Sequence, residues 1–316
     1  MTVTVLAGGV GAARFLRGLM DVVPHGEIAA IVNTGDDTEL HGLSISPDLD
    51  TITYTLAGAI DPDRGWGLAG ETWRAMEALG RYAAVRPPDS GAAPTWFNLG
   101  DQDLATHFYR TARRHEGAGL TEVTAEIVRA WGLGLHLLPM TDDRFRTMVT
   151  LAETGEEIGF QDYFVRLRHG APISSIRFDH DGAVPTAAVF DALTADAVVV
   201  APSNPLVSIG PIRALPGIDA RLAARRESVV AVSPIVGGAA LKGPADRMLR
   251  ELGMEPSVVG VARVYAPVAA TLVIDPADAH LADEVEAAGM RCVVTPSIMS
   301  TPEVSASLAR ACLAAV

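Results

Sequence analysis

The chain has 316 residues, 49% apolar and 20% charged, with 25 basic against 38 acidic residues and a formal net charge of −13. That balance excludes a disordered chain, no window of about 18 residues is apolar enough to span a membrane, and an acidic surface without basic clusters repels nucleic-acid phosphates. The length suits one large α/β domain or two modest ones, either with a sizeable core.

The first predicted element is a strand over residues 3–6, which runs into Ala7-Gly8-Gly9-Val10-Gly11-Ala12-Ala13-Arg14 and then a helix. Glycines let backbone N–H groups approach an anion at a helix N-terminus, where the dipole assists. The spacing is neither a full dinucleotide fingerprint nor a Walker loop, and it fits a tight strand-to-helix turn without ligand equally well. No basic segment precedes the apolar start, so no signal peptide is expected. The two cysteines, Cys292 and Cys312, have no metal-ligand spacing, and a cytoplasmic location is the expectation.

A second strand over 28–32 leads into Asn33-Thr34-Gly35-Asp36-Asp37, and Ser46-Pro47-Asp48-Leu49-Asp50-Thr51 follows. Carboxylates gathered at strand ends suit a hard cation such as Mg²⁺, which in turn holds phosphate oxygens. Capping of the next helix is the plainer reading of Asp48 or Asp50 alone. A glycine turn nearby favours the cation.

Helices are predicted over 51–59, 71–83, 101–115 and 121–131, with a loop at 87–91. The acidic first turn at Asp101 is explained by the helix dipole. Trp66 and Trp73 read either as core residues or as ring-stacking contacts. Residues 135–178 read as strands, with a turn at 153–156 between 148–151 and 158–160. We take 51–180 as a helical and β insertion within a single α/β domain spanning 1–316. His107, His136 and His169 show neither zinc-site spacing nor an evident catalytic triad.

The remaining strands, 197–201, 229–232, 271–274 and 292–294, are almost wholly apolar, as expected when helices cover both faces of a sheet. This predicts a doubly wound, Rossmann-like, mostly parallel α/β fold whose ligands bind beyond the carboxyl ends of the strands. Two more loops lie there. One offers Ser203, Asn204 and Ser208 to a base or phosphate, or is a rigid Asx turn. The other carries the sole lysine, Lys242, a point charge suited to phosphate or a residue on a solvated face.

Taken in order, Leu6-Ala7-Gly8-Gly9-Val10-Gly11, Asn33-Thr34-Gly35-Asp36-Asp37, Ser46-Pro47-Asp48-Leu49-Asp50-Thr51, Gly100-Asp101-Gln102-Asp103-Leu104-Ala105-Thr106-His107, Ala201-Pro202-Ser203-Asn204-Pro205 and Leu241-Lys242-Gly243 resemble the 2-phospho-L-lactate transferase family. The stretch from Asp61 to Gly67, with Glu71-Thr72-Trp73, is most similar to the family's actinobacterial branch. The resemblance implies transfer of a phosphoenolpyruvyl or 2-phospho-L-lactyl group from a guanosine diphosphate adduct to the deazaflavin Fo. The products would be dehydro coenzyme F-420-0 or F-420-0, and GMP; the actinobacterial likeness implies the enolpyruvyl donor.

By the same resemblance Gly8, Gly9, Gly11, Ser203, Asn204, Ser208 and Lys242 hold the nucleotide, and Asp36 and Asp50 bind Mg²⁺. Asp50, Asp36 and Lys242 serve catalysis, while Asp50, Gln102, Trp66 and His107 meet Fo, with the insertion as an apolar wall for its ring. A homodimer is expected. The family usually has Arg where this chain has Gln102, and Gly where it has Ala12. The rival resemblance is to the YvcK-type gluconeogenesis factor, a nucleotide-sugar-binding regulator without turnover.

Overall fold

The architecture comes from a computed structural model that describes residues 1–316. Seven short strands, β1 (Val3–Ala7), β2 (Ile28–Val32), β3 (His136–Pro139), β4 (Ala197–Val200), β5 (Val229–Val232), β6 (Thr271–Ile274) and β7 (Arg291–Val294), form one sheet in the order β3-β2-β1-β4-β5-β6-β7. Every pairing in it is parallel. The predicted doubly wound α/β fold is therefore the observed one.

The reason is visible strand by strand. In β1, Val3, Val5 and Ala7 join one apolar core while Leu6 joins the other. In β4, Val198 and Val200 pack on one side and Val199 on the other. Strands buried on both faces cannot alternate polar and apolar residues, so their sequences read as unbroken apolar runs. The strand order reverses between β1 and β4. Loops leaving these neighbours part to opposite sides and open a crevice at the carboxyl end of the sheet.

Helix α1 (Gly9–Met20) starts inside the glycine turn. Helix α2 (Pro47–Leu56) begins four residues before the predicted 51, with Ser46 as its cap residue and Pro47 at its first position, where a missing N–H costs nothing. This places Asp48 and Asp50 in the first helical turn rather than in a loop. Helix α3 (Arg74–Ala83) starts later than the predicted 71, because Glu71 and Thr72 are engaged elsewhere. Helices α4 (Asp101–His115) and α5 (Leu120–Ala130) lie where the pattern places them.

The 51–180 block is not continuous. The chain returns to the sheet at β3, so the insertion consists of a helical excursion before it and a three-stranded antiparallel sheet after it (Phe145–Leu151, Glu157–Gly159 and Ile173–His180). That small sheet is tied to the loop after β2 by the Thr147 N–H, which donates to the Gly35 carbonyl at 2.7 Å. A hairpin pairing Thr38–Leu40 with Leu43–Ile45 was not predicted, since three-residue strands carry no period to read. No helix is long and apolar enough to cross a membrane.

Candidate functional site

At the crevice the glycine turn and the loop after β4 touch directly. The Ser203 hydroxyl donates to the Gly8 carbonyl at 2.7 Å. A methyl group on Gly8 would lie 2.6 Å from Ser208 Cβ, and one on Gly11 would lie 2.2 Å from the Pro202 carbonyl oxygen. Gly8, Gly9, Gly11, Ser203 and Ser208 are thus brought together. Asn204 builds the loop: its Oδ1 accepts from the N–H groups of Leu206 at 2.9 Å and Val207 at 3.4 Å, an Asx-type turn.

Asp48 reaches into this cradle from α2. It accepts from Asn33 Nδ2 at 3.0 Å, and its Oδ1 would lie 3.5 Å from a methyl group on Gly9. Asn33 Oδ1 accepts from the Gly35 N–H at 2.8 Å, so one buried amide fixes both the carboxylate and the next turn. Burial pushes the Asp48 carboxyl up to about 6 against the pull of the Asn33 hydrogen bond.

Beside it, burial and the charges of Asp48 and Asp37 hold Asp36 well above the usual carboxylate range. Burial pushes Asp37 up to about 8, although the Ser46 hydroxyl donates to it at 2.7 Å and Arg110 lies near. One oxygen of each, Asp36 Oδ1 and Asp37 Oδ1, is buried without a hydrogen-bond partner. Buried acceptors left unpaired inside a like-charged cluster are costly. These are oxygen donors of the kind a hard divalent cation takes, but the three groups whose ligand atoms converge within 4.8 Å are Asp50, Asp103 and His107 instead. The Oγ1 atoms of Thr34 and Thr147, flanking the Gly35 turn, are buried and unpaired as well.

Asp50 is differently placed. Both its oxygens are gripped by buried Arg110, Nη1 donating to Oδ2 at 3.1 Å and Nη2 to Oδ1. Asp50 also adds its charge to that felt by Asp37, which links it electrostatically to the carboxylates after β2. Ligand atoms of Asp50, Asp103 and His107 converge within 4.8 Å of one another, and the cation among them is the Arg110 guanidinium. His107 is buried in this row and Gln102 is exposed on the first turn of α4.

The helical excursion adds an aromatic pair. Trp66 and Trp73 have centroids 5.6 Å apart, with the Arg64 guanidinium over both rings and held by Glu71 at 2.9 Å. Trp66 is 42% exposed, so part of its ring remains open to solvent. Lys242 comes across to this loop: a methyl group on Gly65 would lie 3.1 Å from its Nζ. Lys242 and Trp66, predicted for different ligands, therefore meet at one loop.

Sequence reasoning did not single out Arg110, Asp103, Tyr54 or Thr147. The spacing of Asp103, His107 and Arg110, one helical face, was the available signal for two of them. For Thr147 there was none.

The pattern of the 2-phospho-L-lactate transferase CofD family matches residues 3–297. The chain is 43% identical to a phosphoenolpyruvate transferase of Streptomyces griseus, over 99% of this chain and 98% of that one. It is 42% identical to the enzyme of that name from Nocardia farcinica (98% and 93% covered) and 41% identical to that from Mycobacterium tuberculosis (98% and 97%). Among solved structures, protein BH3568 of Bacillus halodurans superposes with a TM-score of 0.64 at 16% identity, covering 99% of both chains, a likeness of fold alone. Carried by ordered motifs along nearly its whole length, the chain belongs to the 2-phospho-L-lactate transferase CofD family.

Proposed function

We propose that the protein transfers a phosphoenolpyruvyl group, or a 2-phospho-L-lactyl group in its place, from a guanosine diphosphate adduct to the deazaflavin Fo. The observation that carries this reading is the glycine turn meeting the loop after β4, with Asp36, Asp37 and Asp48 sensing one another's charge beside it and two of their buried oxygens unpaired. Mg²⁺ would be held by Asp36 and Asp50 with Asp37 beside them, and would have to draw these carboxylates together, since no three of them converge within 4.8 Å without it. When bound it neutralises charge on the transferring phosphoryl group.

The chain's own residues do the positioning. N–H groups at the start of α1 and the Ser208 hydroxyl receive the diphosphate. Asp48 lies beside this turn, and its raised pKa indicates how weakly the crevice favours its charge. Asp50 orients the terminal ribityl hydroxyl of Fo and accepts its proton. The hydroxyl oxygen bonds to the phosphorus next to the three-carbon acid, and the bond to GMP breaks, leaving dehydro coenzyme F-420-0. Trp66 offers the open part of its ring to the deazaflavin ring, with Gln102 as a neutral donor nearby and Lys242 as the cation at the same loop. A homodimer in the cytoplasm is the setting this reading carries.

Purified protein with Mg²⁺, Fo and the enolpyruvyl, lactyl and glyceryl adducts in parallel should release GMP only when Fo is present, fastest from the enolpyruvyl adduct. Absence of Fo-dependent release with all three, together with tight UDP-sugar binding, would favour the regulator reading instead.

The same cluster makes a thermodynamic prediction. Between about 3.8 and about 8 the folded state holds a proton on Asp37 that the unfolded chain has released, so this contribution to stability is present at low pH and lost as pH rises toward 8. Melting temperature without metal should therefore fall between pH 6 and pH 8. Added Mg²⁺ should raise it more at pH 8, at about 2–4 °C per kcal/mol, and Asp37→Asn should remove most of the difference. Equal Mg²⁺ shifts at the two pH values would sink the cation assignment.

A further inference from the structure

Arg110 is 2% exposed and makes no surface contact that would explain its charge. Its two terminal nitrogens hold both oxygens of Asp50, and Nη1 also lies 3.2 Å from His107 Nδ1. An arginine only donates, so Nδ1 accepts and the neutral imidazole carries its proton on Nε2, 3.3 Å from Asp103 Oδ2. The other Asp103 oxygen accepts from the Tyr54 hydroxyl at 2.6 Å. Hydrogen bonds from His107 and Tyr54 and the charge of Arg110 hold Asp103 below the usual carboxylate range despite its burial. Asp103, His107 and Arg110 share one face of α4, and Asp50 and Tyr54, four residues apart, share one face of α2.

The row thus begins and ends on α2 and passes through α4. A buried ion pair is a poor device for stability alone, because desolvation offsets most of its attraction. A planar two-point grip does something an apolar contact does not: it fixes the plane of a carboxylate. We propose that Arg110, itself held by His107 and Asp103, is the positioning residue for Asp50. This rests on the role given to Asp50 above, and Arg110 acts only through it. Groups that orient a ligating or reacting carboxylate typically account for about 10–100-fold in metal affinity or activity.

The test is Arg110→Lys, which keeps the charge and loses the planar fork, beside Asp50→Asn. On folded Arg110→Lys protein, kcat should fall about 100-fold, with KM for Fo and for the donor within about threefold of the parent. Mn²⁺ binding without substrates, followed by the paramagnetic resonance of the free ion, should weaken about tenfold. A kcat within about threefold of the parent, a loss confined to KM, or unchanged Mn²⁺ affinity each overturns the proposal. If Asp50→Asn itself turns over normally, the role of Asp50 fails. If Asp50→Asn is inactive while Arg110→Lys is not, only the positioning role fails. Arg110→Gln, which leaves Asp50 unpaired, is the second variant, and its lower melting temperature reports the structural share of the pair separately from the kinetic one.

Discussion

Asp50→Asn should lower Fo-dependent GMP release by about 10³-fold, within the range of losing a general base or an oriented ligand. The structure shows that this substitution bears on the fold as well. Asp50 is the partner of a buried guanidinium, and an Asn presents one acceptor and an N–H₂ group to an arginine that only donates. Breaking a buried pair from one side costs about 3–5 kcal/mol, or a melting point lower by about 10 °C. Kinetics must therefore be compared well below the melting transition of the variant. Asp50→Glu separates the two effects, since it keeps a carboxylate for Arg110 while displacing it by a methylene. It should regain most of the melting temperature and little of the turnover. Turnover of Asp50→Asn within about tenfold of the parent would remove Asp50 from the chemistry.

How far the sequence could reach is shown by where it stopped. The central strands were legible because burial on both faces leaves an apolar run, as in Val229–Val232. The edge strand His136–Pro139 was not separable from the strands after it, for it opens on an exposed histidine and ends on a proline. At the site, Gly8, Asp36 and Ser203 were legible as unusual residues at strand ends. What they touch was not: Asn33 reaching Asp48, or Lys242 reaching Gly65, are contacts across long stretches of chain. Arg110 was hidden for another reason. In sequence it resembles Arg113 and Arg114 on the same helix, and only packing shows that Arg113 pairs with surface glutamates while Arg110 is enclosed.

Gly11→Ala should be the most damaging single methyl group in the crevice. The added carbon would lie 2.2 Å from the Pro202 carbonyl oxygen and 3.3 Å from its carbonyl carbon. These are backbone atoms, with no flexible side chain to yield. Nor can the two segments slide apart freely, because β1 and β4 are adjacent and the Ala201 N–H donates to the Leu6 carbonyl at 3.0 Å. Relief must come from moving the start of α1 away from the loop after β4, which breaks the bond from Ser203 to the Gly8 carbonyl. Overpacking of this kind costs about 3 kcal/mol. A displacement of about 1 Å at the proposed diphosphate cradle should weaken GDP binding by about 100-fold. Gly80 is the control. It sits inside α3 with nothing within 4 Å of the added carbon, so Gly80→Ala should stabilise by about 0.5–1 kcal/mol through helix propensity and leave GDP binding unchanged. Melting curves and calorimetric titration with GDP on both variants give the answer. A Gly11→Ala protein that melts with the parent and binds GDP as tightly would show that the two loops do not meet as closely as the nucleotide site requires.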